Sequence, residues 1–247
     1  MAHVLRLHKE TALKQANSLT TAVNIFASPN EAFASIKARP TFFVPMLVAC
    51  IGVAAYSWLY ALEVDLGWLT ERQLRGQTLF ELTDAQIQAQ VNAAVERGRT
   101  STIVTGVLGS FLAITIIYLL QASYLKIVSL ITKDGVRYRQ WLSLVSWTSL
   151  PTVLGSLATI VFILTNDVSY VDQAGVNPLS FASLLQMDLE NSSTFVSFAS
   201  NTSPINIWSL VLLVLGYRFL SESGTFKALA AVLAPVAVIA ALLYIVS

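Results

Sequence analysis

Five apolar stretches constrain the fold of this chain more than any other feature of its sequence. They cover residues 41–62, 102–124, 141–165, 205–217 and 228–246. About 20 apolar residues in a helix cross the hydrocarbon core of a bilayer. The fourth stretch reaches that length if Asn206 lies at one interface and Arg218 extends its charge to the other. Because backbone polar groups inside lipid must be satisfied within their own segment, the sequence predicts an all-α, polytopic membrane protein with five transmembrane helices.

The composition excludes several classes of function. Charged residues make up 12% of the 247 residues, about half the share of a soluble domain, and the net charge of +1 offers no basic surface for nucleic acid. One cysteine and two histidines are too few for a zinc or iron–sulfur site. No phosphate-binding loop, nucleophile elbow or pair of carboxylates on a buried face is present. We therefore predict no enzyme activity, no catalytic or metal-binding residue and no cofactor.

The distribution of Lys and Arg predicts the orientation of the chain. With the N-terminus inside, eleven of the fifteen basic residues fall in inside segments. The second outside loop, residues 166–204, then contains none. Because cytoplasmic loops near span ends are enriched in Lys and Arg, we expect a cytoplasmic N-terminus and an external C-terminus.

The segment before the first span is predicted to form two helices at the membrane surface. Residues 1–40 form this cytoplasmic amphipathic region, and residues 41–247 form the five-span domain. An apolar stripe at helical spacing marks the first helix: Ala12, Ala16, Leu19, Val23 and Phe26. Ser28-Pro29-Asn30-Glu31 resembles a capping box and predicts the start of the second. Two roles stay open: packing on the ends of the spans, or sensing the membrane and docking a partner.

The two outside loops also contain helix signals. Thr83-Asp84-Ala85-Gln86 is a capping-box pattern, and the helix it starts is expected to stop at Gly98. In the second loop Ser180 is expected to start a short helix over residues 181–187. The Ser-, Thr- and Asn-rich stretch 191–204 is expected to be partly mobile.

Uncharged polar groups inside the spans are the remaining candidates for a site, because no Asp, Glu, Lys or Arg falls in a span interior. Pro151 is predicted to kink the third span and to free the carbonyl of Trp147, which nearby hydroxyls or a neighbouring helix would satisfy. The candidate interaction or path residues are Gln121, Tyr124, Lys126, Arg137, Arg139, Trp141, Ser143, Ser146, Trp147 and Pro151.

Two parts of the sequence resemble the Yip domain family, named for Ypt/Rab-interacting proteins, and its bacterial branch in particular. One is the basic turn at residues 135–139, which leads into a span rich in aromatic residues and serine as far as Pro151. The other is the pair of end markers, residues 28–33 with Pro40 and Pro45, and residues 205–217. The resemblance covers residues 26–246 and implies five spans with a cytoplasmic N-terminus. The long acidic N-terminal region and DLxGP-type motif of eukaryotic members are absent, so GTPase binding is not carried over.

These observations lead to two functional hypotheses. The first is a non-enzymatic scaffold or adaptor in a bacterial inner membrane, which acts through its cytoplasmic helices and the turn at residues 133–141. Its partners would be the lipid bilayer and another membrane protein or a second copy of the chain. The alternative is a transporter, channel or lipid-handling protein that uses the polar faces of spans two and three. A cavity lined by Gln121, Tyr124, Ser143 and Ser146 would favour that alternative.

Overall fold

The computed structural model describes residues 17–76, 82–188 and 194–246, which form helices and loops without a strand. The helices are α1 Ser18–Ala27, α2 Pro29–Ala38, α3 Phe43–Glu63, α4 Leu66–Arg75, α5 Asp84–Thr132, α6 Tyr138–Thr148, α7 Thr152–Thr165, α8 Phe181–Leu184, α9 Thr194–Asn201, α10 Pro204–Ser221 and α11 Thr225–Val246. Four segments are long and apolar enough to cross a membrane, namely α3, α5, α6 with α7, and α10. The apolar α11 adds 22 residues. The predicted all-α, multi-pass membrane class is confirmed.

The second and third spans differ in detail from their predicted bounds. Helix α5 continues to Thr132, eight residues beyond the predicted end of the span. Gly98 divides α5 near its start with a φ of 74° and a ψ of 164°, a conformation that glycine adopts without steric cost. The third span is broken, because α6 ends at Thr148 and α7 begins at Thr152. A distortion near Pro151 is therefore confirmed, and it is a full interruption of the helix.

Two compact units divide the chain. The first unit holds residues up to 49, residues 115–152 and the residues from 206 onward. Its most deeply buried large side chains include Phe33, Trp141 and Tyr217. The rings of Trp141 and Tyr217 stack with their centroids 5.0 Å apart. This unit contains α1, α2, α6, nearly all of α10, and α11.

The second unit holds residues 50–114 and 153–205. Its core is a cluster of Tyr60, Val64, Ile163, Val168 and Val176. Two hydrogen bonds hold the loop after α7 on the end of α3. Tyr60 Oη donates to the Val171 carbonyl at 2.9 Å, and the Asp65 N–H donates to the Ser169 carbonyl at 2.9 Å.

Arg99, also in the second unit, caps the C-terminus of α3. Its guanidinium donates to the Ala61 carbonyl at 2.7 Å and to the Leu62 carbonyl as well. The last carbonyls of a helix lack intrahelical donors and carry partial negative charge, so a cation that donates to them stabilises the helix end. Arg99 follows directly on the break in α5 at Gly98.

The two predicted capping boxes have different outcomes. Thr83 and Gln86 form theirs: the Thr83 N–H donates to Gln86 Oε1 at 2.9 Å, and the Gln86 N–H donates to Thr83 Oγ1 at 3.3 Å. At α2 the prediction is wrong, because the Ser28 side chain makes no capping hydrogen bond. The Glu31 carboxylate accepts instead from Asn24 Nδ2 at 3.3 Å. Pro29 at the first helical position still marks where α2 begins.

The loop between the third and fourth spans contains a helix that the sequence does not predict. Ser180 starts α8 as predicted, since its hydroxyl accepts from the Ser183 N–H at 3.1 Å. The helix ends at Leu184, earlier than expected. Helix α9 covers Thr194–Asn201, within the stretch for which the sequence predicts partial mobility, and that mobility stays a prediction. Residues 189–193 lie outside the described part of the chain.

Candidate functional site

Pro45 leaves a backbone carbonyl in the first unit without its usual helical donor. Pro45 lies in the first turn of α3 and has no N–H, so it cannot donate to the Thr41 carbonyl four residues earlier. Two side chains of α6 supply the missing donors. Ser143 Oγ and Trp147 Nε1 each donate to the Thr41 carbonyl at 2.7 Å. These two predicted site residues therefore join the start of α3 to α6.

A second proline has the same effect in α11. Pro235 lies inside this helix and leaves the Ala231 carbonyl without its usual donor. Tyr124 Oη, from α5, donates to that carbonyl at 2.8 Å. An unsatisfied carbonyl in a membrane interior costs several kcal/mol, so Tyr124 compensates for the proline of a neighbouring helix.

The third proline, Pro151, is accommodated within its own segment. The Leu150 N–H donates to the Trp147 carbonyl at 3.1 Å in the turn between α6 and α7. We expected the hydroxyl of Ser146, Thr148 or Ser149, or a neighbouring helix, to satisfy that carbonyl, and this detail is wrong. These hydroxyls donate instead to the carbonyls of residues 142, 144 and 145, one helical turn before each. Polar residues of α6 are thus used to bond backbone near the break.

The remaining predicted residues lie at different depths in the first unit. Gln121 is half-buried. Lys126 Nζ donates to the Val136 carbonyl at 2.8 Å, so the amine reaches the turn after α5. Arg137 and Arg139 are exposed. A tryptophan beside a basic turn is typical of the lipid–water interface, but the ring of Trp141 is fully buried against Tyr217. Its indole N–H has no hydrogen-bond partner among the described residues.

The turn between α5 and α6 is built around Asp134. Its carboxylate accepts from Thr132 Oγ1 at 2.9 Å, from the Val136 N–H at 3.1 Å and from the Ser129 hydroxyl. Gly135 has a φ of 76° and Lys133 a φ of 54°, so the chain reverses in left-handed conformations on both sides of Asp134. The bonded aspartate fixes this turn and leaves the side chains of Lys133 and Arg137 on its outside.

A cleft of about 400 Å³ lies beside this turn. Its charged and polar lining consists of Lys37, Asp134, Arg137, Gln140 and Glu222, with Ser221. Lys37 Nζ and Glu222 Oε1 form an ion pair at 2.6 Å. Gln140 Nε2 donates to the Lys37 carbonyl at 2.9 Å, which holds the end of α2 against the start of α6.

Glu222 occupies an unusual backbone position in the turn between α10 and α11. Its φ is 52°, in the left-handed region that glycine or asparagine usually fills after a helix. Its ion pair with Lys37 lowers the pKa of the Glu222 carboxyl below the ordinary value, chiefly through the hydrogen bond that Lys37 donates. A second cleft, also of about 400 Å³, adjoins Glu222 and is lined by Asn30, Arg218 and Phe219, among others.

Sequence reasoning did not find Lys37, Glu222, Pro45 or Pro235 as parts of a site. For the two prolines a signal was available. Each proline removes the donor to the carbonyl four residues before it, so Thr41 and Ala231 can be read as groups that need a partner. Lys37 and Glu222 are 185 residues apart, so no local sequence pattern predicts their ion pair.

The comparisons with known proteins agree with this arrangement of membrane helices. The Yip1 domain matches residues 23–246, nearly the whole chain. The chain belongs to the Yip1 domain family. The chain is also similar to "Membrane protein YknW" of Bacillus subtilis (strain 168), with 26% identity over 192 residues, which covers 78% of this chain and 74% of that protein. No solved structure matches the chain.

Family membership establishes a multi-pass membrane protein and fits the resemblance to bacterial members. The domain match begins at Val23, inside α1. The match therefore includes α2, the turn at Asp134, and both proline contacts, at Thr41 and at Ala231.

Proposed function

We propose that this Yip1-family protein is a non-enzymatic scaffold or adaptor that uses its N-terminal helices to contact the membrane surface and to recruit a membrane-protein partner. The observation that supports this proposal most directly is the exposed apolar stripe of α1. Leu19, Val23 and Phe26 are 74%, 57% and 44% exposed, whereas Ile25 on the other face is fully buried. Apolar side chains at this spacing form one helix face. A face left uncovered on a fixed helix is suited to lipid or to a partner helix.

The helix that carries the stripe packs on closely packed helices of the first unit. Phe33 of α2 is fully buried, and its ring lies 6.0 Å from the ring of Phe219. Gly216 lets this packing come close, because a Cβ there would clash with the Leu144 side chain and lie 3.0 Å from Phe33 Cε1. With Gln140 bound to the Lys37 carbonyl, α2 is fastened to α6 and α10. Helix α1 is held by the same packing, because its Ile25 side chain is buried and α1 packs on α2.

Basic side chains near the turn at Asp134 favour contact with anionic lipid. Arg137 and Arg139 are exposed, and their guanidinium groups form no ion pair with the described residues. A basic side chain near an anionic membrane surface contributes about 1 kcal/mol to binding. These two residues would add electrostatic attraction to the apolar stripe.

The transport alternative receives no comparable support from the described residues. Tyr124, Ser143 and Trp147 donate their hydrogen bonds to backbone carbonyls. None of the four clefts described in these parts of the chain is lined by Gln121, Tyr124, Ser143 or Ser146. We therefore assign the functional surface to α1, and we assign a structural role to the polar groups inside the spans.

The test is chemical cross-linking in native membranes, followed by purification of the full-length protein. We expect one membrane protein, or a second copy of the chain, to co-purify in fixed stoichiometry. Val23→Glu should abolish this complex because it places a charge in the apolar stripe. Asn30→Ala, at an exposed residue of α2, is the matched control and should retain it. The proposal fails if no stoichiometric partner is found, or if both variants retain the same complex.

A further inference from the structure

We propose that the cleft beside the Asp134 turn binds a phospholipid headgroup that carries both a phosphate and a primary ammonium group. Arg137 and Lys37 would hold the phosphate, and Glu222 would accept hydrogen bonds from the ammonium. This site goes beyond the scaffold function, because it requires no protein partner and does not involve the stripe on α1.

The position of the cleft selects a lipid headgroup over a ligand of the membrane interior. The cleft lies at the end of α5, which stops at Thr132, at the start of α6, at Tyr138, and at the end of α10, at Ser221. All three helices belong to apolar segments long enough to cross the bilayer. The ends of such helices lie at the level of the headgroups. Any charged cleft formed there is therefore exposed to the phosphate and amine groups of the surrounding lipids.

The charges of the cleft match a zwitterion. Two cations, Lys37 and Arg137, and two carboxylates, Asp134 and Glu222, line it, so its formal charge is zero. Asp134 is occupied by three hydrogen bonds from its own turn. Glu222 is bound by Lys37 alone among the described residues, and its side chain is 80% exposed. The groups available to a ligand are therefore one or two cations and one carboxylate.

The donor geometry favours phosphate on the cationic side. The Arg137 guanidinium makes no hydrogen bond to a described residue, since the contacts of Arg137 with Gln140 and Trp141 involve only backbone groups of Arg137. A free guanidinium offers paired donors that fit phosphate oxygens. Lys37 is paired with an exposed carboxylate in high dielectric, where the net gain of an ion pair is small. A phosphate can therefore displace Glu222 from Lys37 at little cost.

The displaced carboxylate determines which headgroup fits. Once released from Lys37, the Glu222 carboxylate is free to accept hydrogen bonds from another cation, and a primary ammonium on the same headgroup supplies three N–H donors. A quaternary ammonium has no N–H to donate, and an anionic headgroup without an amine would leave the carboxylate beside a phosphate of like charge. The volume of about 400 Å³ is within the range of small-ligand sites. The cleft should therefore prefer phosphoethanolamine over phosphocholine and phosphoglycerol headgroups.

The experiment is native mass spectrometry of the delipidated full-length protein, titrated with phosphatidylethanolamine, phosphatidylcholine and phosphatidylglycerol that have identical acyl chains. We expect the first phosphatidylethanolamine to bind about tenfold more tightly than either of the other lipids. Arg137→Ala should remove this preference, and Arg139→Ala, two residues further along the chain and outside the lining of the cleft, should retain it. Glu222→Gln should weaken phosphatidylethanolamine about fivefold and leave phosphatidylglycerol unchanged or tighter.

A competition experiment tests whether the cleft recognises the headgroup or the acyl chains, and a second variant controls for misfolding. Soluble glycerophosphoethanolamine should compete with the lipid if the cleft reads the headgroup. If it does not compete, the preference arises from the acyl chains and the proposal is overturned. Equal affinity for the three lipids, or equal behaviour of the Arg137 and Arg139 variants, also overturns it. Because the Glu222 variant changes an exposed side chain, it still tests the headgroup preference if the Arg137 variant does not fold.

Discussion

At the scale of single residues, Tyr124 supplies to α11 the hydrogen bond that Pro235 cannot make. Ser143 and Trp147 do the same for Pro45. Each donor belongs to a helix other than the one that contains the proline. Among the candidate interaction or path residues, Tyr124, Ser143 and Trp147 thus join helices, which is the commoner role of polar side chains in membrane bundles.

A double-mutant cycle tests the contact between Tyr124 and α11. Tyr124→Phe removes the donor to the Ala231 carbonyl and should lower the free energy of unfolding by about 0.6–1.7 kcal/mol, from the average to the maximum measured for hydrogen bonds between membrane helices. In a Pro235→Ala background residue 235 regains an N–H that can donate to the same carbonyl. There Tyr124→Phe should have little effect. Thermal unfolding of the four proteins in one detergent gives the coupling, and equal losses in both backgrounds would refute the compensation.

The ion pair of Lys37 and Glu222 predicts a pH dependence. Lys37 lowers the folded-state pKa of the Glu222 carboxyl relative to the unfolded chain, where it is about 4.3. The pair therefore stabilises the fold above the unfolded-state pKa, and this stabilisation is lost as the pH falls through the lower folded-state pKa. Because both side chains are exposed, the effect should be small and weaken with salt.

The measurement compares the thermal midpoint of the wild type with that of Glu222→Gln between pH 3 and pH 7 at low salt. The wild type should be the more stable protein at pH 7, and the difference should vanish toward pH 3. Lys37→Gln should show the same convergence. A difference that persists unchanged at pH 3 would mean that the charge of Glu222 contributes nothing.

At the scale of helices, the sequence predicts well what depends on local hydropathy and poorly what depends on a neighbour. The apolar runs locate all five membrane helices. Bilayer length alone predicts too early an end for α5, because the largely apolar sequence up to Ile131 continues as helix. Ser28 and Thr83 begin similar patterns, yet Glu31 bonds to Asn24 of the preceding helix instead of returning to Ser28. Partners 107 and 185 residues apart cannot be read from such patterns.

The close packing of α10 in the first unit can be tested by comparing alanine substitutions at two glycines. Gly216→Ala forces a Cβ against Leu144 and Phe33, both fully buried. Overpacking of this kind costs about 1–3 kcal/mol, which exceeds the roughly 1 kcal/mol that alanine gains over glycine in a helix. The variant should therefore unfold at a lower temperature and loosen the support of α2.

Gly106→Ala is the matched control, because nothing lies within 4 Å of a Cβ at that helical position. It should leave the thermal midpoint unchanged or raise it. If Gly216→Ala is as stable as Gly106→Ala under the same conditions, α2 and α6 do not pack as closely on α10 as described.

At the scale of the whole molecule, the two units carry opposite charge. The described part of the first unit contains eight basic and three acidic residues, and that of the second contains four basic and eight acidic residues. Cytoplasmic segments next to spans are enriched in Lys and Arg. This charge difference reflects the same basic residues that predict the orientation from the loops, so a cytoplasmic N-terminus stays a prediction.

Thiol accessibility in intact cells tests this orientation. Cys50 is the single cysteine and is buried, so a Cys50→Ala protein provides a background without thiols. Gln173→Cys places a thiol in an exposed loop of the second unit, and Lys133→Cys places one in the exposed turn of the first. A membrane-impermeant maleimide should label position 173 in intact cells, or in spheroplasts where an outer membrane blocks the reagent. It should label position 133 only after the membrane is opened. Labelling of position 133 but not 173 before opening would reverse the orientation, and would place the Asp134 cleft and the α1 stripe on the external face of the membrane.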